Sequence, residues 1–147
     1  MNTDILVYSR SGIEAIKYAE SSVAVISIHD PELDKVHLNF TYNDVLYLSF
    51  HDVERDYTGK YYPISKSDAI KIAEFTKKYY SKVRYIIVNC EAGISRSSGI
   101  AGAILKFFTN DDSQIFENKR YYPNMNCYFM VLSALEEVKN ETNQEKE

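Results

Sequence analysis

Residues 83–108 read VRYIIVNCEAGISRSSGIAGAILKFF. Val83 to Val88 is rich in β-branched residues and free of Gly and Pro, which is the pattern of a strand. Asn89 and Cys90 close it, and Glu91 to Arg96 forms a tight loop. Ser97 to Phe108 has helical periodicity, with small residues gathered on one side. A loop held between a strand end and a helix start lies where open α/β sheets bind their ligands.

Working outward, the chain repeats this alternation. Ile5 to Tyr8 reads as a strand, and Ser9 to Ser11 offer caps to a short helix in which Ile13 and Ile16 are spaced i, i+3. Val23 to Ile28 is nearly continuous in apolar residues, as a strand buried on both faces requires, and His29-Asp30-Pro31 ends it. Val45 to Phe50 is a third strand, followed by a polar loop from His51 to Ser65. Ser67 is read as the cap of a helix whose stripe is Ile70, Ile72, Ala73, Phe75 and Tyr79. Asp111-Asp112 precede a short helix, and Met125 to Val138 forms the last. The expected fold class is α/β: a single domain over residues 1–140, with a mainly parallel central sheet of about four to five strands flanked by helices on both faces. Residues 141–147, ETNQEKE, lack apolar anchors and are expected to be a flexible polar tail.

Composition narrows the function classes. The chain has 147 residues, 45% of them hydrophobic and 26% charged, with a net charge of −4. That is the balance of one globular domain. No apolar run is long enough to span a bilayer, and no secretory signal is visible, so the expected setting is cytoplasmic. The acidic balance argues against a nucleic-acid partner. Two cysteines, Cys90 and Cys127, are too few for a disulfide scaffold. Cys127 lies in an apolar helical stretch and reads as core. No Cys/His spacing suggests a metal site, no G-x-x-x-x-G-K-S/T loop is present, and no cofactor is expected.

The 90–97 loop fits phosphate chemistry. Backbone N–H groups from Glu91, Ala92, Gly93, Ile94, Ser95 and Arg96, wrapped at a helix N-terminus, would converge on an anion. Gly93 permits a turn that a Cβ would hinder. The Arg96 guanidinium can hold two phosphate oxygens at once. Cys90 sits at the positive end of the helix dipole and near Arg96, so its thiolate is expected to be favoured. Ser97 can donate to the sulfur. One loop thus offers a nucleophile, an anion cradle and charge stabilisation. Glu91, as a side chain, reads as a solvated loop carboxylate.

The segment Cys90-x-Ala92-Gly93-Ile94-x-Arg96-Ser97-x-Gly99 resembles the signature of the cysteine-dependent protein tyrosine and dual-specificity phosphatases. Tyr122-Pro123-Asn124-x-x-x-x-Phe129-x-x-Leu132 is similar to the Pro-Asn segment that opens a late helix in compact dual-specificity members. The resemblance implies the protein tyrosine phosphatase-like fold, a phosphocysteine intermediate on Cys90 and a phosphoprotein or phosphopeptide substrate. It also implies a metal-free reaction, a monomeric enzyme, and Asn124 as a supporting residue. The family's His before the cysteine is Asn89 here. Asn can hydrogen-bond but cannot carry charge.

In the family, an Asp on a loop after a neighbouring strand protonates the leaving group. Asp52, two residues past the third strand, is expected to be that acid, with Asp56 as the alternative. Tyr57, Tyr61 and Tyr62 on the same loop either cover its base or line the cleft. The absence of Trp and the short N-terminal region resemble the compact dual-specificity group more than the tyrosine-specific enzymes. Related families fit less well. Low-molecular-weight phosphatases carry their motif near the N-terminus, phosphoinositide phosphatases commonly place lysines in the loop, and rhodanese-like enzymes lack the aspartate loop. The competing class is a pseudophosphatase that binds phosphoproteins without turnover.

Overall fold

The computed structural model describes residues 2–56 and 58–146, with side chains through residue 138. The elements in chain order are β1 (Asp4–Tyr8), α1 (Arg10–Glu14), β2 (Val23–His29), β3 (Asp44–Ser49), α2 (Lys66–Tyr79), β4 (Tyr85–Asn89), α3 (Arg96–Thr109), α4 (Ser113–Phe116) and α5 (Met125–Lys146). The strands form one four-stranded sheet in the order β1-β4-β2-β3. All three pairings are parallel, with Val7↔Val88, Ile26↔Val88 and Ile28↔Leu48 in register. The C-terminal ends of β2, β3 and β4 therefore lie side by side at one edge of the sheet, where β4 hands over to α3.

Alternate residues of each strand face opposite layers. Ile5, Ala24, Ile26, Ile28, Ile86 and Val88 pack with Ile72, Ile100, Ile104 and Leu135 beneath α2, α3 and α5. Each fully buried Ile contributes about 1.5–3 kcal/mol relative to exposure. On the other face, Val23, Val25 and Ile87 pack with Ile13 of α1 and with Val36 and Tyr42 of the β2–β3 connection. That face is thus covered by one short helix and an irregular segment, while the three longer helices lie on the other face. Residues 30–43 carry no helical apolar stripe, so Val36 and Tyr42 reach the sheet as single anchors.

The cap of α2 differs from the sequence reading. It is Ser65, whose Oγ accepts from Asp68 N–H while the Asp68 carboxylate accepts from Ser65 N–H. This reciprocal box satisfies two amides at once, which Ser67 has no partner to match. β4 begins two residues later than expected because Val83 N–H still bonds back to Tyr79 O. The side chains of the expected tail, 141–147, lie outside the described residues, as does all of Tyr57. Among the described residues, no helix is long and apolar enough to cross a membrane.

Candidate active site

The loop between β4 and α3 is shaped from outside. Gly93 has φ +70°, and a Cβ there would lie 2.6 Å from Ser9 N and 2.8 Å from Tyr8 C. Only glycine lets the loop press against the β1–α1 junction. Arg10 ties it down, its N–H donating to Glu91 O at 3.0 Å and its Nη1 to Glu91 Oε1 at 3.1 Å. Glu91 is therefore ion-paired, not solvated as its loop position suggested. Further along, Tyr122 N–H donates to Ile94 O, and the amides of Gly99 and Asn124 both donate to Ser95 O. The carbonyls of Glu91, Ile94 and Ser95 are thus taken. Among the described residues, no main-chain amide from Glu91 to Ser95 donates to a protein acceptor. Amides left unspent at the start of a 14-residue helix are donors of the kind that can hold an anion.

Cys90 stands at the base of this loop, 2% exposed, with its Sγ 3.1 Å from Ser97 Oγ. Arg96 is also buried. Its Nη1 donates to Phe50 O at 2.6 Å and meets Asp30 Oδ1 at 2.7 Å, while its Nε is buried without a protein partner. The guanidinium is anchored along one edge and keeps an unspent N–H for another acceptor. Asn89 is buried. Its Nδ2 makes a long contact of 3.5 Å to Cys90 O, and its Oδ1 has no partner among the described residues.

Asp52 is brought to the loop. Its Oδ1 accepts from Ser95 Oγ at 2.8 Å and from Asn124 Nδ2 at 3.0 Å. Asp56 is not. Its carboxylate accepts from Thr58 N–H and Thr58 Oγ1–H, bonds that hold it below the usual carboxylate range and mark it as a turn residue. Asn124 joins three parts of the site. Besides Asp52 it reaches Val53 O, and its own Oδ1 accepts from Cys127 N–H at the start of α5. Gly99 permits this approach, since a Cβ there would lie 2.4 Å from Asn124 O. Cys127 is fully buried, and burial pushes its thiol far above the ordinary range. Among the described residues, no cluster of three His, Cys, Asp or Glu side chains is placed to hold a metal.

His51 is structural. Tyr62 N–H donates to its Nδ1, so the proton sits on Nε2, which points at Glu32 Oε1. Tyr61 and Tyr62 pack on its ring, at 5.2 and 5.7 Å between centroids, and both remain exposed.

No protein-family model matches the chain, and no curated protein matches it in sequence. Solved structures do. Human DUSP28 superposes with a TM-score of 0.62 over 93% of this chain and 94% of that one, at 10% identity. Human tyrosine phosphatase-like serine/threonine/tyrosine-interacting protein gives 0.56 over 76% and 75%, at 18% identity. PTPMT1 in complex with PI(5)P gives 0.53 over 82% and 81%, at 19% identity. The chain has the protein tyrosine/dual-specificity phosphatase fold. Within that phosphatase fold, the Cys90–Arg96 loop occupies the junction of β4 and α3.

Sequence reasoning missed Asp30, Glu32 and Arg10. Asp30 had a usable signal. It closes a strand of a parallel sheet, and the residues that close neighbouring strands gather at one edge. Arg10 had none, because its partner Glu91 is far away in sequence.

Proposed function

We propose that the protein is a phosphoric monoester hydrolase that acts on phosphotyrosine, and more weakly on phosphoserine and phosphothreonine, through a phosphocysteine intermediate. One observation carries the reading. The Cys90 sulfur lies against Ser97 Oγ, in a loop whose amides and Arg96 Nε have no protein acceptor.

In the first step Cys90 Sγ attacks phosphorus. The S–P bond forms as the P–O bond to the substrate breaks. The loop amides and Arg96 hold the non-bridging oxygens, and Asp52 gives its proton to the leaving oxygen. In the second step the Asp52 carboxylate takes a proton from the attacking water. The S–P bond breaks, the electron pair returns to sulfur, and the Ser97 hydroxyl donates to it. Inorganic phosphate leaves. Tyrosine leads because phenoxide is a better leaving group than an alkoxide, and its longer side chain reaches a buried sulfur more easily.

The test is a phosphopeptide panel at equal concentration, with Cys90→Ser as blank. The expected order of phosphate release is phosphotyrosine first, then phosphothreonine and phosphoserine, with no turnover by Cys90→Ser. Faster release from phosphoserine, or activity confined to phosphoinositides or RNA 5′-phosphates, overturns the substrate assignment. Phosphopeptide binding without turnover by the wild type would make the protein a binding module.

A further inference from the structure

We infer that Arg10 is a positioning residue of the site. Its guanidinium offsets the charge of Glu91, the one charged side chain among residues 91–95, so that a loop carrying a carboxylate can still take up a phosphate dianion. The kinetic readout of this inference rests on the phosphatase reading; its binding readout rests on geometry alone.

The pairing follows from strand register. β1 runs beside β4 with Tyr8 opposite Asn89, so two residues further on Arg10 comes beside Glu91. Arg10 N–H donates to Glu91 O at 3.0 Å, and Nη1 reaches Glu91 Oε1 at 3.1 Å. The guanidinium does not owe its place to Glu91 alone. Nη1 also donates to Asp34 O at 2.7 Å, and Nη2 to Lys35 O at 3.1 Å. Those carbonyls belong to the β2–β3 connection, which Glu14 of α1 holds in turn. The Glu14 carboxylate accepts from His37 N–H, and its main-chain carbonyl accepts from Asn39 Nδ2. Arg10 Nε meets Glu14 Oε2 at 3.5 Å, a longer and more exposed contact than the one to Glu91.

Glu91 directly follows Cys90, and only 23% of its side chain is exposed. Water therefore screens a charge there incompletely. Left bare, the carboxylate would repel a phosphate dianion held by the neighbouring amides. Arg10 removes most of that repulsion while leaving the Glu91 main chain in place. The phosphoryl group carries its charge in the ground state and in the transition state alike. The effect is thus one of uniform binding, felt in KM more than in kcat.

The experiment compares wild type, Arg10→Gln, Glu91→Gln and the double variant. It reads inorganic phosphate affinity by calorimetry, and kcat and KM on phenyl phosphate. Arg10→Gln keeps the main-chain bond to Glu91 O and bares the carboxylate. It is expected to bind phosphate about fivefold more weakly, and to raise KM about as much with kcat within about twofold of wild type. Glu91→Gln leaves Arg10 held by the Asp34 and Lys35 carbonyls, and is expected to bind phosphate about threefold more tightly. The double variant has neither charge and should return to within about twofold of wild type. A double variant that binds phosphate no better than Arg10→Gln overturns the inference, because the pair would then act as a staple and not through charge. A loss confined to kcat in Arg10→Gln overturns it as well. So does unchanged or weaker phosphate binding by Glu91→Gln, which decides alone should Arg10→Gln not fold. A wild type that binds phosphate but leaves phenyl phosphate intact refutes the phosphatase reading instead, and the affinities then decide Arg10. A wild type that does neither overturns both.

Discussion

Asn124 Nδ2 lies 3.0 Å from Asp52 Oδ1, and the Oδ1 of the same amide accepts from Cys127 N–H at 3.0 Å. One side chain therefore caps α5 and holds the expected proton donor over the phosphate loop. The two jobs use opposite ends of the amide and can be separated.

Asn124→Asp keeps the capping acceptor and loses the donor to Asp52, placing a second carboxylate against it. Asn124→Ala loses both. We expect Asn124→Ala to cost about 0.5–2 kcal/mol of stability through the lost cap, with Asn124→Asp costing less. Both should lose about tenfold more rate on phenyl phosphate than on an activated aryl phosphate. Thermal denaturation and the two substrate rates check this. Matched stability losses with unchanged leaving-group dependence would reduce Asn124 to a cap.

Ser97 Oγ lies 3.1 Å from Cys90 Sγ, and its hydroxyl is expected to act when sulfur leaves phosphorus. A hydrogen bond to a charged group is worth about 1.5–3 kcal/mol, so Ser97→Ala should slow that step by roughly tenfold to a hundredfold. Formation of the phosphoenzyme should change little. Rapid mixing with an activated aryl phosphate is then expected to show a burst of one equivalent per site, followed by slow turnover. Slowed turnover with no burst would place the hydroxyl in the first step instead.

The parts of the site that sequence reasoning reached are those written in one short segment. Cys90, Gly93, Arg96 and Ser97 lie within the single segment 90–97, and their meaning follows from a strand entering and a helix leaving. Asp52 was within reach because it follows a strand end. Asp30 follows one too, but its role depends on β2 lying beside β4, and strand order is not encoded in any local pattern. Glu91 reads as solvated until β1, paired directly with β4, brings Arg10 against it. Ser65 and Ser67 are equivalent as serines, and only the reciprocal Asp68 bond decides between them as cap. Asn89 was legible as a departure from the resembling motif, but its unpartnered Oδ1 was not.

Tyr128 links stability to alkaline pH. Its hydroxyl donates to Asp112 Oδ2 at 2.7 Å, and burial, reinforced by that bond, raises its pKa from 10.0 to about 12. The fold thus favours the neutral phenol. The associated stability is fully present below about pH 10, the unfolded value, and is lost as pH rises toward about 12. Tyr42, Tyr79 and Tyr80 are shifted in the same direction, so one substitution flattens only part of the alkaline fall. Tyr128→Phe is expected to lose less stability than wild type between about pH 9 and pH 11 in denaturant titrations. Parallel curves would mean that the buried phenol is not the linked group.

Asp52 and Asp56 share one loop but not one environment. Asp52 is exposed and bonded to Ser95 and Asn124 at the mouth of the phosphate loop. Asp56 spends its carboxylate on the Thr58 turn. A proton donor matters most when the leaving oxygen is a strong base. Asp52→Asn should therefore slow phosphotyrosine hydrolysis by about a hundredfold, and an activated aryl phosphate by much less. The mechanism needs Asp52 protonated in the first step, so the wild-type rate on phosphotyrosine should fall on the alkaline side of its optimum. Asp52→Asn should level that limb, because no donor is left to lose its proton. Asp56→Asn should leave both the substrate ratio and the limb intact, at the cost of a looser turn around Thr58. The reverse pattern, with the leaving-group effect in Asp56→Asn alone, would move the acid to Asp56. It would also require the 51–62 loop to swing during catalysis, because Asp56 does not touch the phosphate loop in this structure.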